Sequence, residues 1–263
     1  MRLSMEKIKG FLLDITGVLY ESGSDGGKAI EGSVAAVQRL RDNGYAVRFV
    51  SNESQTTREG IMNKLKKHGF QMIKEEIFTP CPAVLKIVRE RDLRPFLIVH
   101  PDVLPDFEGI GTSNPNCVIL GDAVGDFTYE NLNKAFRILV GQEKPLLYSL
   151  GKGKFYREND HLTLDVGPFT AALEYACGAE ATVVGKPNPE FFLTAVRDLN
   201  LQPNEVVMVG DDIESDVGGA QACGIKGILV RTGKYRPENE QHLIKPFAVV
   251  NNLAAAVDFV CRL

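Results

Sequence analysis

Along nearly the whole of this chain, short apolar runs of strand character alternate with stretches whose apolar residues recur at helical spacing. That rhythm predicts a parallel sheet wrapped by helices. Gly10–Leu13 is apolar on both faces, as a central parallel strand is. Residues 33–43 read as a helix, with Val34, Val37 and Leu40 on one stripe and Gly44 where a C-terminal cap belongs. Residues 47–50 form the next strand, ending in Ser51-Asn52-Glu53-Ser54, and a helix over 57–68 turns Ile61 and Leu65 inward. From about Pro80 the texture changes. Strands at 97–100, 117–120 and 146–149 alternate with helices near 82–91, 130–140 and 168–177, and proline and glycine punctuate the joints. After Thr182-Val183-Val184 the first rhythm returns, with a helix from Pro189, strands at 206–209 and 226–230, a helix from Asp216 and a last helix over 252–261. The expected architecture is α/β: a doubly wound, Rossmann-like parallel core from residues 1–81 and 183–263, with an α/β cap domain inserted over 82–182.

Bulk properties narrow the function by exclusion. A formal net charge of −4 argues against electrostatic binding of nucleic acid or of an acidic membrane surface. No apolar run approaches the ~18 residues that span a bilayer. Cys81, Cys117, Cys177, Cys223 and Cys261 are scattered and odd in number, and no secretory signal precedes them. Reduced thiols and a cytoplasmic setting are expected, with nuclear presence left open. The four histidines have no zinc-ligand spacing.

Four strand ends carry polar residues of different kinds. Asp14 follows the first strand, Ser51 and Asn52 follow the second, Lys186 sits between Gly185 and Pro187, and Asp211-Asp212 follow 206–209, with Asp216 close behind. A carboxylate at the C-terminal end of a parallel strand lies at the sheet edge where open α/β proteins bind ligands. Two such ends side by side make an oxygen-rich site for a hard cation, which in turn recruits phosphate. Phosphoryl transfer needs this set of nucleophile, divalent ion and donors around the equatorial oxygens. An aspartate can take the phosphoryl group as an acyl phosphate, dividing one hard displacement into two. Taken alone, each residue has a plainer reading. Asp14 suits a turn, Ser51 and Asn52 compete with Ser54, Thr56 and Thr57 to cap the next helix, and Lys186 suits a solvated loop. All four in this order favour catalysis.

On these segments the chain resembles, over its whole length, the haloacid dehalogenase superfamily of aspartyl-phosphate phosphohydrolases. The motifs stand as Asp14-Ile15-Thr16-Gly17-Val18-Leu19-Tyr20, Ser51-Asn52, Gly185-Lys186-Pro187, and Gly210-Asp211-Asp212 followed by Asp216. The insertion is similar to the large α/β cap of the class II phosphatases. Three further strings, Tyr20-Glu21-Ser22-Gly23, Thr112-Ser113-Asn114-Pro115-Asn116-Cys117 and Leu173-Glu174-Tyr175-Ala176-Cys177-Gly178, resemble a branch acting on phosphohistidine, phospholysine and inorganic pyrophosphate. The resemblance implies Asp14 as nucleophile and Mg²⁺ ligand, with the Thr16 backbone carbonyl and the Asp211 carboxylate as the other protein ligands. It implies Ile15, Thr16, Ser51, Asn52 and Lys186 around the phosphoryl group. Asp216 or Asp212 would stand behind the ion, holding a bound water or orienting Lys186.

Thr16 departs from the superfamily, which normally has an aspartate there as general acid and base. Such a group contributes ~10²–10⁴-fold, and a threonine hydroxyl titrates too high to replace it. Alkyl phosphates, whose alkoxides need a proton to leave, are therefore expected to be poor substrates beside phosphoramidates and pyrophosphate. The expected function is Mg²⁺-dependent hydrolysis of P–N and P–O–P bonds in a phosphorylated small molecule or phospho-amino acid, through phospho-Asp14. Two alternatives stay open: a phosphomonoesterase acting on phosphoglycolate or pyridoxal phosphate, and a catalytically weak regulatory binding protein. A homodimer through the cap is also expected from the resemblance. Residues 23–27 with Asp25 read as a flap over the site. Lys152, Lys154, Tyr156 and Arg157 read as a solvated strand or hairpin before a substrate contact. Gly151-Lys152-Gly153 lacks the endings of both nucleotide-binding loops.

Overall fold

A computed structural model of the chain describes residues 7–23, 26–158 and 161–263. In chain order its elements are β1 (Gly10–Leu13), β2 (Tyr20–Glu21), β3 (Lys28–Ala29), α1 (Ser33–Asp42), β4 (Ala46–Val50), α2 (Arg58–Lys67) and β5 (Ile77–Phe78). Next come α3 (Pro80–Glu90), β6 (Pro95–Ile98), β7 (Cys117–Leu120), α4 (Tyr129–Val140), β8 (Leu147–Ser149), β9 (Phe155–Glu158), β10 (His161–Leu164), α5 (Val166–Cys177) and β11 (Thr182–Val183). The chain closes with α6 (Pro189–Asp198), β12 (Val206–Gly210), β13 (Lys226–Val230), the short α7 (Gly219–Gln221) between those two strands, β14 (Ala248–Val250) and α8 (Leu253–Val260).

The larger sheet has six parallel strands in the order β14-β13-β12-β1-β4-β5. Every residue of β1 and of β12 is buried, so neither strand shows polar alternation. Successive side chains still point to opposite faces. Phe11 and Leu13 pack with Leu40, Leu65 and Val257 on one face, and Leu12 packs with Phe192, Val206 and Met208 on the other. Burial of one such side chain contributes roughly 1.5–3 kcal/mol, so the two clusters hold β1 from both sides. From β1 the chain works outward through β4 and β5, then later returns to β12 on the opposite flank. The order of winding reverses between β1 and β12, and in open α/β sheets that reversal leaves a crevice at the strand ends.

The smaller sheet, β11-β8-β7-β6, is parallel throughout and carries α3 on one face and α4 with α5 on the other. An antiparallel ribbon, β9 with β10, extends from it. Two boundaries differ from the expected junctions. α3 begins at Pro80, because proline is suited to the first helical position after the extended Thr79. Thr182 and Val183 pair with Tyr148 and Ser149, so this segment still belongs to the smaller sheet. The helix expected from Asp216 starts earlier, at Ile213. The Asp212 carboxylate accepts N–H groups from Glu214 and Ser215 and so caps the segment. Strands β5 and β14 and the β2–β3 hairpin went unanticipated, each too short to display a period. Asp25 lies outside the described residues.

Candidate active site

The register of the central strands assembles the site. Leu13 lies opposite Val209 on one side and Phe49 on the other. Asp14 therefore leaves β1 level with the end of β12, where Asp211 follows, and with the end of β4, where Ser51 and Asn52 follow. The Asp14 N–H donates to the Val209 carbonyl at 3.0 Å, extending the ladder one residue past the strand.

Three carboxylates converge there. Oxygens of Asp14, Asp211 and Asp216 all lie within 4.8 Å of one another, and all three residues are buried. Two unit charges about 4 Å apart near a protein surface repel by roughly 4 kcal/mol, so this arrangement needs compensation. Lys186 supplies part of it: its Nζ lies 2.7 Å from Asp14 Oδ1 and 2.7 Å from Asp216 Oδ1, and donates to the Val50 carbonyl at 3.2 Å. The Asp216 contact is an ion pair whose angles fall outside hydrogen-bond geometry. Burial alone would push the Lys186 ammonium down, but Asp14 and Asp216 outweigh it and hold it above its ordinary range. One cation does not balance three anions. Burial, and then the charge of Asp14, raise the Asp211 carboxyl well above the usual range. The same two causes push Asp216 up to about 7 against the pull of Lys186.

The surroundings of Asp211 suit a metal ion. The Asp211 Oδ2 accepts the Lys234 N–H at 2.7 Å, whereas Oδ1 is buried with no hydrogen-bond partner among the described residues. An orphaned carboxylate oxygen beside two more carboxylates is what a hard divalent cation takes up. The backbone comes close enough to enclose it only because Gly17 (φ 86°) and Gly233 (φ 60°) lack side chains. A Cβ at either position would stand about 2.0 Å or less from Asp211 Oδ2.

The other expected residues take up distinct places. Asn52 brackets the Lys186 backbone, its Nδ2 donating to the Lys186 carbonyl and its Oδ1 accepting the Lys186 N–H, both at 2.8 Å. Ser51 Oγ accepts the Glu53 N–H at 3.1 Å. Neither caps α2; Thr57 does, through Gly60 at 3.2 Å. The Ile15 N–H donates to Asp14 Oδ1 at 2.8 Å while its side chain enters the core. Thr16 Oγ1 donates to the Tyr20 hydroxyl at 3.3 Å. Asp212 stands outside the cluster of three, as the cap of the segment after β12, with Lys234 Nζ 3.8 Å from its Oδ2. Burial opposes its charge, but Lys234 and two backbone N–H groups hold it below the ordinary carboxyl range.

Asp14, Thr16, Ser51, Asn52, Lys186, Asp212 and Asp216 floor a cavity of about 280 Å³, whose far side comes from the inserted segment: Asp122, Gly153, Tyr156 and Asp165. Gln55 bridges the halves, its Nε2 donating to Asp122 Oδ2 at 2.6 Å, and the Ser54 hydroxyl accepts the Asp122 N–H at 2.9 Å. Lys154 pairs with Glu214 at 3.0 Å across the same gap. Ser22 and Gly23, at the start of the expected flap, also line the cavity. Sequence reasoning missed Lys234, although it follows β13, the strand next to β12, and strand-end logic reaches it. Asp122 also follows a strand, β7, but nothing local signalled that this end faces the first sheet, and Asp165, at the start of α5, had no strand-end signal.

Comparison with known proteins shows the family. Residues 11–113 match the family profile described as haloacid dehalogenase-like hydrolase, and residues 183–256 match a second profile of HAD-like hydrolases. The chain belongs to the haloacid dehalogenase-like hydrolases and is an enzyme of the phosphatase kind. Among its relatives, the phospholysine phosphohistidine inorganic pyrophosphate phosphatase of Danio rerio is 55% identical over 97% of this chain and 95% of its own length. The Homo sapiens protein of the same name is 51% identical over the same shares. The solved structure of a 4-nitrophenylphosphatase from Thermotoga maritima superposes with a TM-score of 0.86 at 27% identity, covering 97% of this chain and 98% of that one. No helix among the described residues is long and apolar enough to cross a membrane.

Proposed function

We propose that this protein hydrolyses P–N and P–O–P bonds, as in phosphohistidine, phospholysine and inorganic pyrophosphate, with Asp14 taking the phosphoryl group. The observation that carries the reading is the convergence of Asp14 and Asp211, with Lys186 against Asp14, where Asp14 and Lys186 floor one cavity. The names of the relatives at 55% and 51% identity support the substrate class. Asp14, the Thr16 carbonyl and Asp211 would hold Mg²⁺. When bound, the ion offsets the charge of the phosphoryl oxygens and of the carboxylates. The protein's own groups do the rest. Asp14 attacks phosphorus. Lys186, kept charged by its two carboxylate partners, neutralises the group in transfer, and Ser51 and Asn52 orient it. Asp216 holds Lys186 in place, as its 2.7 Å ion pair suggests.

Thr16 accounts for the choice of bond. With a threonine at position 16 in place of an acid, substrates whose leaving groups need less protonation are favoured. The test is a rate comparison of imidodiphosphate and pyrophosphate with phosphoglycolate and pyridoxal phosphate, for the wild type and Thr16→Asp. The expected result is that the wild type prefers the first pair and that Thr16→Asp gains on esters relative to imidodiphosphate. A variant with unchanged preference would sink the assignment of Thr16.

A further inference from the structure

With Asp14 read as the phosphoryl acceptor, a reading on which this inference rests, the proton source for the leaving group is still missing from position 16. The titratable groups of the cavity differ in what already holds them. Asp14 and Asp216 are tied to Lys186. Asp212 is held ionised by Lys234 and two backbone N–H groups, burial notwithstanding. Asp122 has both oxygens engaged, Oδ2 by Gln55 at 2.6 Å and Oδ1 by the Val124 N–H at 3.4 Å. Asp165 Oδ1 accepts the N–H of Val166 at 2.7 Å, capping α5.

Glu53 differs from all of these. Its Oε1 accepts the Gln55 N–H at 2.7 Å, whereas Oε2 takes no hydrogen bond from a described residue. Its own N–H is fixed on Ser51 Oγ, so the carboxyl issues from the same strand end as the pair that contacts the phosphoryl group, and it lines the same small cavity as Asp14. Burial pushes this carboxyl up, against the Gln55 N–H and Lys64 of α2. Asp122 beyond β7 and Asp165 before α5 add to the rise, and the Cys81 thiol of α3 is the other titratable neighbour. A carboxyl that lines the cavity beside Asp14, with one oxygen unengaged and its proton held more tightly than usual by burial, is suited to donate that proton.

We propose that Glu53 gives its proton to the leaving group and then takes one from the water that attacks phosphorylated Asp14. In the first step an Asp14 oxygen bonds to phosphorus. The bond from phosphorus to the bridging nitrogen or oxygen breaks with its electron pair on that atom, which receives the Glu53 proton. In the second step water attacks phosphorus and loses a proton to the Glu53 carboxylate. The bond between phosphorus and the Asp14 oxygen breaks, its pair returns to Asp14, and both groups are restored.

The test measures kcat/KM of the full chain with Mg²⁺ on aryl phosphates running from 4-nitrophenyl, whose phenolate leaves without a proton, to phenyl, whose phenolate does not. E53Q is expected to lose about 10²-fold or more on phenyl phosphate and to stay within about tenfold of wild type on 4-nitrophenyl phosphate. Equal losses along the series, or no loss on phenyl phosphate, overturn the proposal. Should E53Q not fold, the wild type decides. The phenyl-to-4-nitrophenyl ratio of kcat/KM should fall as pH rises through a single deprotonation, and a ratio independent of pH overturns the proposal. D14N separates the two claims. Turnover surviving D14N defeats the reading of Asp14, whereas a dead D14N beside an E53Q that ignores the leaving group defeats Glu53 alone.

Discussion

The floor of the cavity and its far wall are built by different means. On the floor, Asp14, Ser51 and Asn52, with Asp211 beside Asp14, stand at the ends of adjacent parallel strands, and the register of β1 against β12 and β4 decides their spacing. On the wall, Asp122, Tyr156 and Asp165 come from a strand end, a ribbon and a helix cap of the smaller sheet, joined to the floor by side chains such as Gln55. Backbone pairing fixes the chemistry, and side-chain bridges fix what the chemistry is applied to. Substitutions on the floor should therefore abolish turnover, while those on the wall should redistribute it among substrates.

The largest expected effect is on the floor. Asp14→Asn should reduce turnover by roughly 10⁴-fold or more on every substrate, as loss of a nucleophile does, measured under saturating Mg²⁺. On the wall, Asp122→Asn keeps the Gln55 contact while removing charge. It should change KM by about tenfold or less, differently for cationic and neutral leaving groups, with turnover of 4-nitrophenyl phosphate nearly intact. A wall substitution that stopped all substrates equally would erase the distinction.

The floor should also reveal itself through pH. Asp216 has a folded pKa raised to about 7, far above the ordinary carboxyl value near 4. Its contribution to stability is complete below the unfolded value and is lost as pH rises through about 7. Asp211 shifts in the same direction. A divalent cation opposes that loss, so the rise in Tm on adding MgCl₂ should be larger at about pH 8 than at about pH 5.5. An equal rise at both would mean that the ion binds away from these carboxylates. The smallest effect belongs to the exposed bridge between the halves. Lys154→Ala breaks its pair with Glu214 and should shift stability by less than about 1 kcal/mol in a denaturant titration.

The same contrast governs what could be read from the sequence. Asp14, Ser51 and Asp211 were legible because each follows an apolar run, and a parallel sheet gathers such ends at one edge; Lys186 also follows an apolar run, but its strand β11 belongs to the smaller sheet. The longer strands and helices were legible for similar reasons: Val206–Gly210 is an unbroken apolar run, Lys226–Val230 is one after its leading lysine, and Val37 and Leu40 mark a helical stripe. Strands of two residues, such as Ile77–Phe78, have no period to detect. Lys234 was overlooked for want of a familiar string, although its place past β13 follows the same rule. The far wall was opaque for a physical reason. Gln55 meets Asp122 only once the two sheets are packed, and no local spacing foretells that contact.

The most direct measurement is a crystal structure of the protein with Mg²⁺ and beryllofluoride. Beryllium is expected bonded to an Asp14 carboxylate oxygen, with one ion touching both Asp14 and Asp211 and Lys186 against the fluorides. Beryllofluoride held anywhere else, or an ion that reaches only one of the two aspartates, would contradict that expectation.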